Sequence, residues 1–120
     1  MDTSRILELK FMGHCCSQII MQLGLEGIGK EDPDLIAAMA GLCDGVHRGK
    51  LCGTLSAASC LLYLINREKA EWTMNDELFD WFEESFGSTE CYDLIDGNPI
   101  NKPVACKLTA ICSNLISCIN

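Results

Sequence analysis

From Leu55 to Ile65 the chain is apolar on nearly every side. The run falls well short of the roughly 18 consecutive apolar residues of a membrane span, and a helix apolar all round is normally the buried centre of a bundle. The flanking segments carry helical patterns of their own. Between Ser4 and Leu23 the residues Ile6, Leu9, Met12, Cys16, Ile19, Ile20 and Leu23 recur at three- and four-residue spacing, which predicts one amphipathic helix ended by Gly24, Gly27 and Gly29. Asp32-Pro33 is an N-cap with proline at the first helical position, and Leu35, Ile36, Met39, Leu42 and Cys43 continue to a stop at Gly45. Past Asn66, the stretch Arg67–Glu71 reads as a frayed end or an exposed connection. Asn75 reads as the cap of a helix carrying Leu78, Phe79, Phe82 and Phe86, with Gly87 as its stop. Ser88-Thr89 caps a short piece with Cys91, and Asn101-Lys102-Pro103 opens a final helix striped by Val104, Leu108, Ile111, Leu115 and Ile119. No strand of convincing alternation and no internal repeat is found. The expectation is an all-α, compact single domain over residues 1–120, a bundle of about five helices around a buried central helix at about 54–66.

A net charge of −8, with nine scattered Lys and Arg, disfavours nucleic acid and anionic membrane, since both need a basic footprint. The opening Met1-Asp2-Thr3-Ser4 leads into an amphipathic run rather than a secretory signal, so the expected location is cytoplasmic. In that reducing compartment the nine cysteines point to metal or redox work rather than a disulfide framework, which 120 residues at 48% hydrophobic content do not need and an odd count does not complete. Hydrolytic motifs such as Gly-x-Ser-x-Gly and His-Glu-x-x-His are missing. Asp76-Glu77 and Glu83-Glu84 read as a solvated helix face.

The cysteines divide by position. Cys16, Cys52, Cys91 and Cys106 each fall on a different expected helix or helix start, a spread that suggests four thiols converging on one site. At 100° per residue, Cys112 and Cys118 share the apolar stripe of the last helix while Cys106 falls on its far side, where core packing does not account for it. Cys43, Cys60, Cys112 and Cys118 read as packing residues, because a reduced cysteine behaves as a small hydrophobe. Cys52 and Cys91 lie at expected helix N-termini, where unpaired N–H groups favour a thiolate, and His47, Arg48 and Lys50 add positive charge ahead of Cys52. Helical phase puts His14 opposite Cys16, on the surface, and His47 reads as a loop or supporting residue. Trp72 and Trp81 suit either an interface or the core.

Gly13-His14-Cys15-Cys16-Ser17-Gln18, Gly49-Lys50-Leu51-Cys52-Gly53-Thr54-Leu55-Ser56-Ala57, Phe86-Gly87-Ser88-Thr89-Glu90-Cys91-Tyr92-Asp93-Leu94 and Cys106 together resemble the redox-active protein family named for the C_GCAxxG_C_C pattern. Cys15 looks like an addition beside the first family cysteine. Leu51 before Cys52, Gly53 after it, and Ala57 where a second small residue, usually glycine, is expected are departures from the named pattern. The resemblance implies a small helical redox protein whose Cys16, Cys52, Cys91 and Cys106 hold an iron-sulfur cluster. A haem-bearing relative would need Cys-x-x-Cys-His, which does not occur here, so no c-type haem is expected. Four thiolates suit zinc as well, and the ligand types alone do not choose between the two metals. Three functions compete: electron transfer or redox sensing through a cluster; thiol-disulfide chemistry with Cys52 as the attacking low-pKa thiol and Cys16 among its partners; and a non-catalytic, zinc-stabilised interaction module. The expected partners are a redox partner protein and a second copy of the chain in a homodimer, with electron-transfer or accessory work favoured over stand-alone catalysis.

Overall fold

The computed structural model describes residues 3–94, and their chain is helical almost throughout. Helix α1 spans Thr3–Phe11, α2 Cys16–Gly27, α3 Pro33–Met39, α4 Gly53–Ile65, α5 Arg67–Lys69, α6 Asn75–Phe86 and α7 Cys91–Leu94. Among the described residues the one piece of sheet pairing is an isolated antiparallel bridge between Leu51 and Glu90. The all-α expectation holds. No helix among the described residues is long and apolar enough to cross a membrane. The expected final helix, with Cys106, Cys112 and Cys118, lies outside the described residues.

The core forms where α1, α2, α4 and α6 meet. Ile6 and Leu9 of α1, Ile19 and Ile20 of α2, Leu55 and Leu62 of α4, and Leu78 and Phe82 of α6 are all at most 1% exposed. Each buried side chain of this size contributes about 1.5–3 kcal/mol relative to exposure, so this apolar cluster is what holds the helices together. Helix α4 is central, as its composition requires, but it is not enclosed all round: Cys60, Tyr63 and Leu64 are exposed on one side.

Several local expectations are corrected. The helix expected over Ser4–Leu23 is two helices. Gly13 takes a φ of +92°, a conformation costly for residues with a Cβ. The chain then turns so that Cys15 caps α2, its N–H donating to Gln18 Oε1 at 3.0 Å. Apolar spacing runs through this break unaltered, which is why periodicity alone joins the two pieces. Conversely, Gly24 does not end α2. A Cβ built there would lie 2.1 Å from Leu61 Cδ2, so the glycine lets α2 lie directly against α4.

Asp32 does cap α3, accepting from the Leu35 N–H at 3.1 Å, as its Asp-Pro signature demands. The helix gives way at Met39 to a tighter turn over Ala40–Leu42, and Cys43 is extended rather than helical. Asp44, Gly45, Val46 and His47 then all take positive φ, between 53° and 59°. Left-handed backbone costs about 1–2 kcal/mol per residue with a side chain, so the connection from Cys43 to Cys52 is a strained one. Asn66, not Asn75, caps the next helix: its side chain accepts from the Lys69 N–H at 3.1 Å. Arg67–Lys69 is therefore helical rather than frayed, and Asn75 sits in right-handed backbone where α6 continues from a widened turn over Ala70–Met74. Gly87, at a φ of +83°, ends α6 as expected. Trp72 is 76% exposed, whereas Trp81 is partly buried and meets Phe86 edge-on at 5.8 Å.

Gly24→Ala tests the α2–α4 contact. The alanine gains about 1 kcal/mol of helix propensity, yet its methyl overlaps the whole head of Leu61, which at 1% exposure cannot swing into solvent. A net loss of about 1–3 kcal/mol is expected in urea unfolding. Leu61→Ala in the Gly24→Ala background should cost less than it does alone, because the new methyl fills part of the vacated space. Gly24→Ala at wild-type stability or above would contradict this packing.

Candidate functional site

Three of the four cysteines singled out from the sequence lie among the described residues, and all three stand at helix starts. Cys16 is the first residue of α2, Cys52 is the N-cap of α4, and Cys91 is the first residue of α7. Cys16 is thus not in the middle of a long helix, and the phase argument that set His14 opposite it does not apply; His14 is half-buried.

Backbone hydrogen bonds tie the second and third cysteines to one another's surroundings. The Cys52 N–H donates to the Thr89 carbonyl at 2.8 Å, and the Cys91 N–H donates to the Lys50 carbonyl at 2.7 Å, flanking the Leu51–Glu90 bridge on its two sides. Ser88 sets up the start of α7: its Oγ accepts from the Glu90 N–H at 3.0 Å and donates to Asp93 Oδ2 at 3.1 Å. The Phe-Gly-Ser-Thr-Glu-Cys stretch accordingly has a structural purpose. Gly87 ends α6, Ser88 starts α7, and Thr89 holds Cys91 beside the start of α4.

Packing of α2 on α4 brings Cys16 near Cys52, close enough that a charge on Cys16 bears on the Cys52 thiol. Cys16 and Cys52 are both partly buried against the hydrophobic core. Burial is the main reason the Cys52 thiol is pushed up from the ordinary cysteine range; the backbone N–H of Leu55 pulls it down, the Cys16 charge adds to the rise, and Thr54 pulls it down through its backbone and hydroxyl. The helix start thus acts in the expected direction but is outweighed. His47, Arg48 and Lys50, which sequence proximity set beside Cys52, are exposed. The His47 Nε2 is instead 3.0 Å from the Ala40 carbonyl. Cys52 is not a low-pKa thiol in this structure.

Gly53 explains why the residue after Cys52 is small. A Cβ there would meet the Leu42 carbonyl oxygen at 2.4 Å and Cys43 Cα at 3.3 Å, so the start of α4 is pressed against the Leu42–Cys43 backbone. That contact carries a feature the sequence reading missed. Cys15 and Cys43, which read as an addition and a packing residue, are joined as a disulfide with a Cα–Cα distance of 6.3 Å. Cys60, also read as packing, is exposed. Cys43 is indeed buried, but as a partner of Cys15 rather than as filler.

The donor chemistry at Cys16, Cys52 and Cys91 is that of a soft-metal or cluster site. A buried thiol whose charged form is disfavoured by desolvation is one that a bound cation would compensate. Among the described residues, however, no three His, Cys, Asp or Glu side chains gather closely enough to hold a metal ion. Cys106 lies outside the described residues.

Comparison with known proteins adds one finding. The family model described as "Putative redox-active protein (C_GCAxxG_C_C)" matches residues 14–119, which takes in all four cysteines. Neither the curated proteins nor the solved structures contain a match to this chain.

The raised Cys52 thiol has two measurable consequences. In alkylation kinetics followed by peptide mass spectrometry, its pH midpoint should lie above the ordinary thiol range and fall in Cys16→Ala, which removes the neighbouring charge. Stability should be unaffected by this group below the pKa of an unfolded cysteine, about 8.5. It should decline as pH rises from there through the higher folded value, since the unfolded chain releases the proton first. A Cys52 midpoint below that of an unfolded peptide would contradict the burial described here.

Proposed function

Because the chain belongs to the redox-active protein family named for the C_GCAxxG_C_C pattern, we propose that it is a small redox protein in which Cys16, Cys52, Cys91 and Cys106 hold an iron-sulfur cluster for electron transfer or redox sensing. The observation that carries this reading is the approach of Cys16 to Cys52 where α2 packs on α4, with Cys91 tied to the same helix start through the Leu51–Glu90 bridge. Bound there, a cluster would supply one-electron chemistry, which the thiols alone do not readily provide.

The chain's own residues have separate tasks. Cys16, Cys52, Cys91 and Cys106 supply the thiolates. The N–H groups of Thr54 and Leu55 favour charge on Cys52, which offsets part of the desolvation that ligation must overcome. Leu42 and Leu51 pack against the same core as Cys16 and Cys52 and would limit water there, and restricted solvent access is one of the levers that sets a cluster's potential. Such a protein passes electrons to or from a redox partner protein rather than transforming a small substrate.

Thiol-disulfide exchange with Cys52 as the attacking group is the weaker reading, because burial pushes that thiol up and so disfavours the thiolate that must attack. A zinc-stabilised module uses the same ligands and differs in the metal found.

Purification without oxygen followed by iron, acid-labile sulfide and zinc analysis separates these functions. The cluster reading expects a coloured protein with iron and sulfide in similar amounts, and loss of both in Cys16→Ser and Cys52→Ser, while Cys60→Ser keeps them. Stoichiometric zinc without sulfide would establish the structural module instead. A colourless, metal-free chain from anaerobic preparation would overturn metal binding altogether.

A further inference from the structure

Ser17 is wholly buried and stands between two sulfur atoms. Its Oγ donates to the Met39 carbonyl at 2.6 Å, and it lies 2.8 Å from Cys43 Sγ and 3.4 Å from Cys15 Sγ. A hydroxyl has one proton and two lone pairs. With the proton committed to Met39, both lone pairs are left for the sulfurs. A disulfide has no S–H to offer them, whereas two thiols have one each. The three contacts of Ser17 are therefore all hydrogen bonds only when Cys15 and Cys43 are reduced. Ser17 is 0% exposed, so water does not replace these two bonds; the hydroxyl keeps its bond to Met39 in either state, and what the disulfide forfeits is the two bonds that the thiols would donate.

We propose that Cys15 and Cys43 form a second redox centre, a reversible dithiol/disulfide pair separate from Cys16, Cys52, Cys91 and Cys106, and that Ser17 favours its reduced form. The pair exchanges electrons with a dithiol, either a small molecule or a protein of the dithiol-reductant class. A thiolate of the reductant attacks Cys15 Sγ, because Cys15 is half-buried while Cys43 is 4% exposed. The Cys15–Cys43 bond breaks, and Cys43 leaves as a thiolate that takes a proton from solvent as the site opens. The second thiolate of the reductant then attacks its own sulfur in the mixed disulfide and releases Cys15, which is protonated in turn. Two electrons and two protons have entered the pair, and the reductant has become a disulfide.

The pair's location connects it to the remaining cysteines. Cys15 caps α2 immediately ahead of Cys16, and the Cys43 backbone is the surface against which Gly53, next to Cys52, is pressed. Closing the bond fastens the start of α2 to that backbone. Opening it releases one tie between the segments that carry Cys16 and Cys52.

The test is a redox titration in dithiothreitol buffers, quenched by alkylation and read by peptide mass spectrometry, on the wild-type chain, on Ser17→Ala and on Cys52→Ser. A Cys15–Cys43 link that opens and closes reversibly is expected in all three. In Ser17→Ala the equilibrium should shift about five- to tenfold toward the disulfide. The Met39 carbonyl loses its partner in both oxidation states, so that loss cancels. Cys52→Ser keeps the result independent of any cluster: the link should titrate there even if the chain holds no iron. Absence of the link from oxidised protein would overturn the proposal, as would a link that resists reduction while the chain is folded. A Ser17→Ala shift of zero or toward the thiols would overturn the part assigned to Ser17. Should Ser17→Ala not fold, Ser17→Thr keeps the hydroxyl and must reproduce the wild-type equilibrium; a shift toward the disulfide there would count against the hydroxyl's role.

Discussion

Helix α2 lying directly on α4 is the constraint from which the rest of the arrangement follows. Gly24 permits that approach by leaving room for Leu61, and Ile19, Ile20, Leu55 and Leu62 make it favourable by burying apolar surface. Two helices in contact at their N-terminal ends bring together whatever those ends carry. Here they carry Cys16 and Cys52. A second close approach, Gly53 against the Leu42–Cys43 backbone, adds Cys43 and through it Cys15. Five cysteine positions are therefore organised around one end of the α2–α4 pair, with Cys91 joined through the Leu51–Glu90 bridge.

The energetic terms at this end oppose one another. Helix starts favour thiolates, but the same packing that assembles them removes water, and at Cys52 desolvation outweighs the nearby N–H groups. A buried thiol of this kind is a poor free nucleophile. It is a reasonable ligand, because a cation repays the desolvation that an isolated thiolate cannot. At Cys15 and Cys43 the balance differs: Ser17 offers an acceptor for protons that exist only in the reduced state. On the two proposals made above, the two sets of cysteines would serve different electron chemistry within a few residues of each other.

Much of this was legible in the sequence, and the reasons it was not fully so are specific. Asp32-Pro33 and Gly87 marked helix ends correctly because a cap or a left-handed stop is determined by a few adjacent residues. The apolar run of α4 announced a central helix for the same local reason. Gly13 was missed as a break because Ile6, Leu9, Met12 and Cys16 keep helical spacing across it. Gly24 was misread in the opposite sense, since a glycine that ends a helix and one that admits a neighbouring helix look alike in one dimension. Position and family resemblance set four cysteines apart, and the three of them among the described residues stand at helix starts. The joining of Cys15 to Cys43 was not legible, because the two are 28 residues apart and meet only through the tertiary packing that presses Gly53 against the Leu42–Cys43 backbone. Gln18, three residues after Cys15, was the available local clue to the α2 start: its side chain accepts from the Cys15 N–H and donates to the Ile36 carbonyl at 3.1 Å.

Electron paramagnetic resonance of the anaerobically purified, dithionite-reduced chain tests the central claim most directly. The account predicts a paramagnetic iron-sulfur signal that is present in wild type, retained in Cys60→Ser, and lost when either Cys16 or Cys52 is replaced by serine. A signal that survives both replacements, or a reduced protein with no iron signal at all, would contradict the assignment of these helix-start cysteines to one redox site.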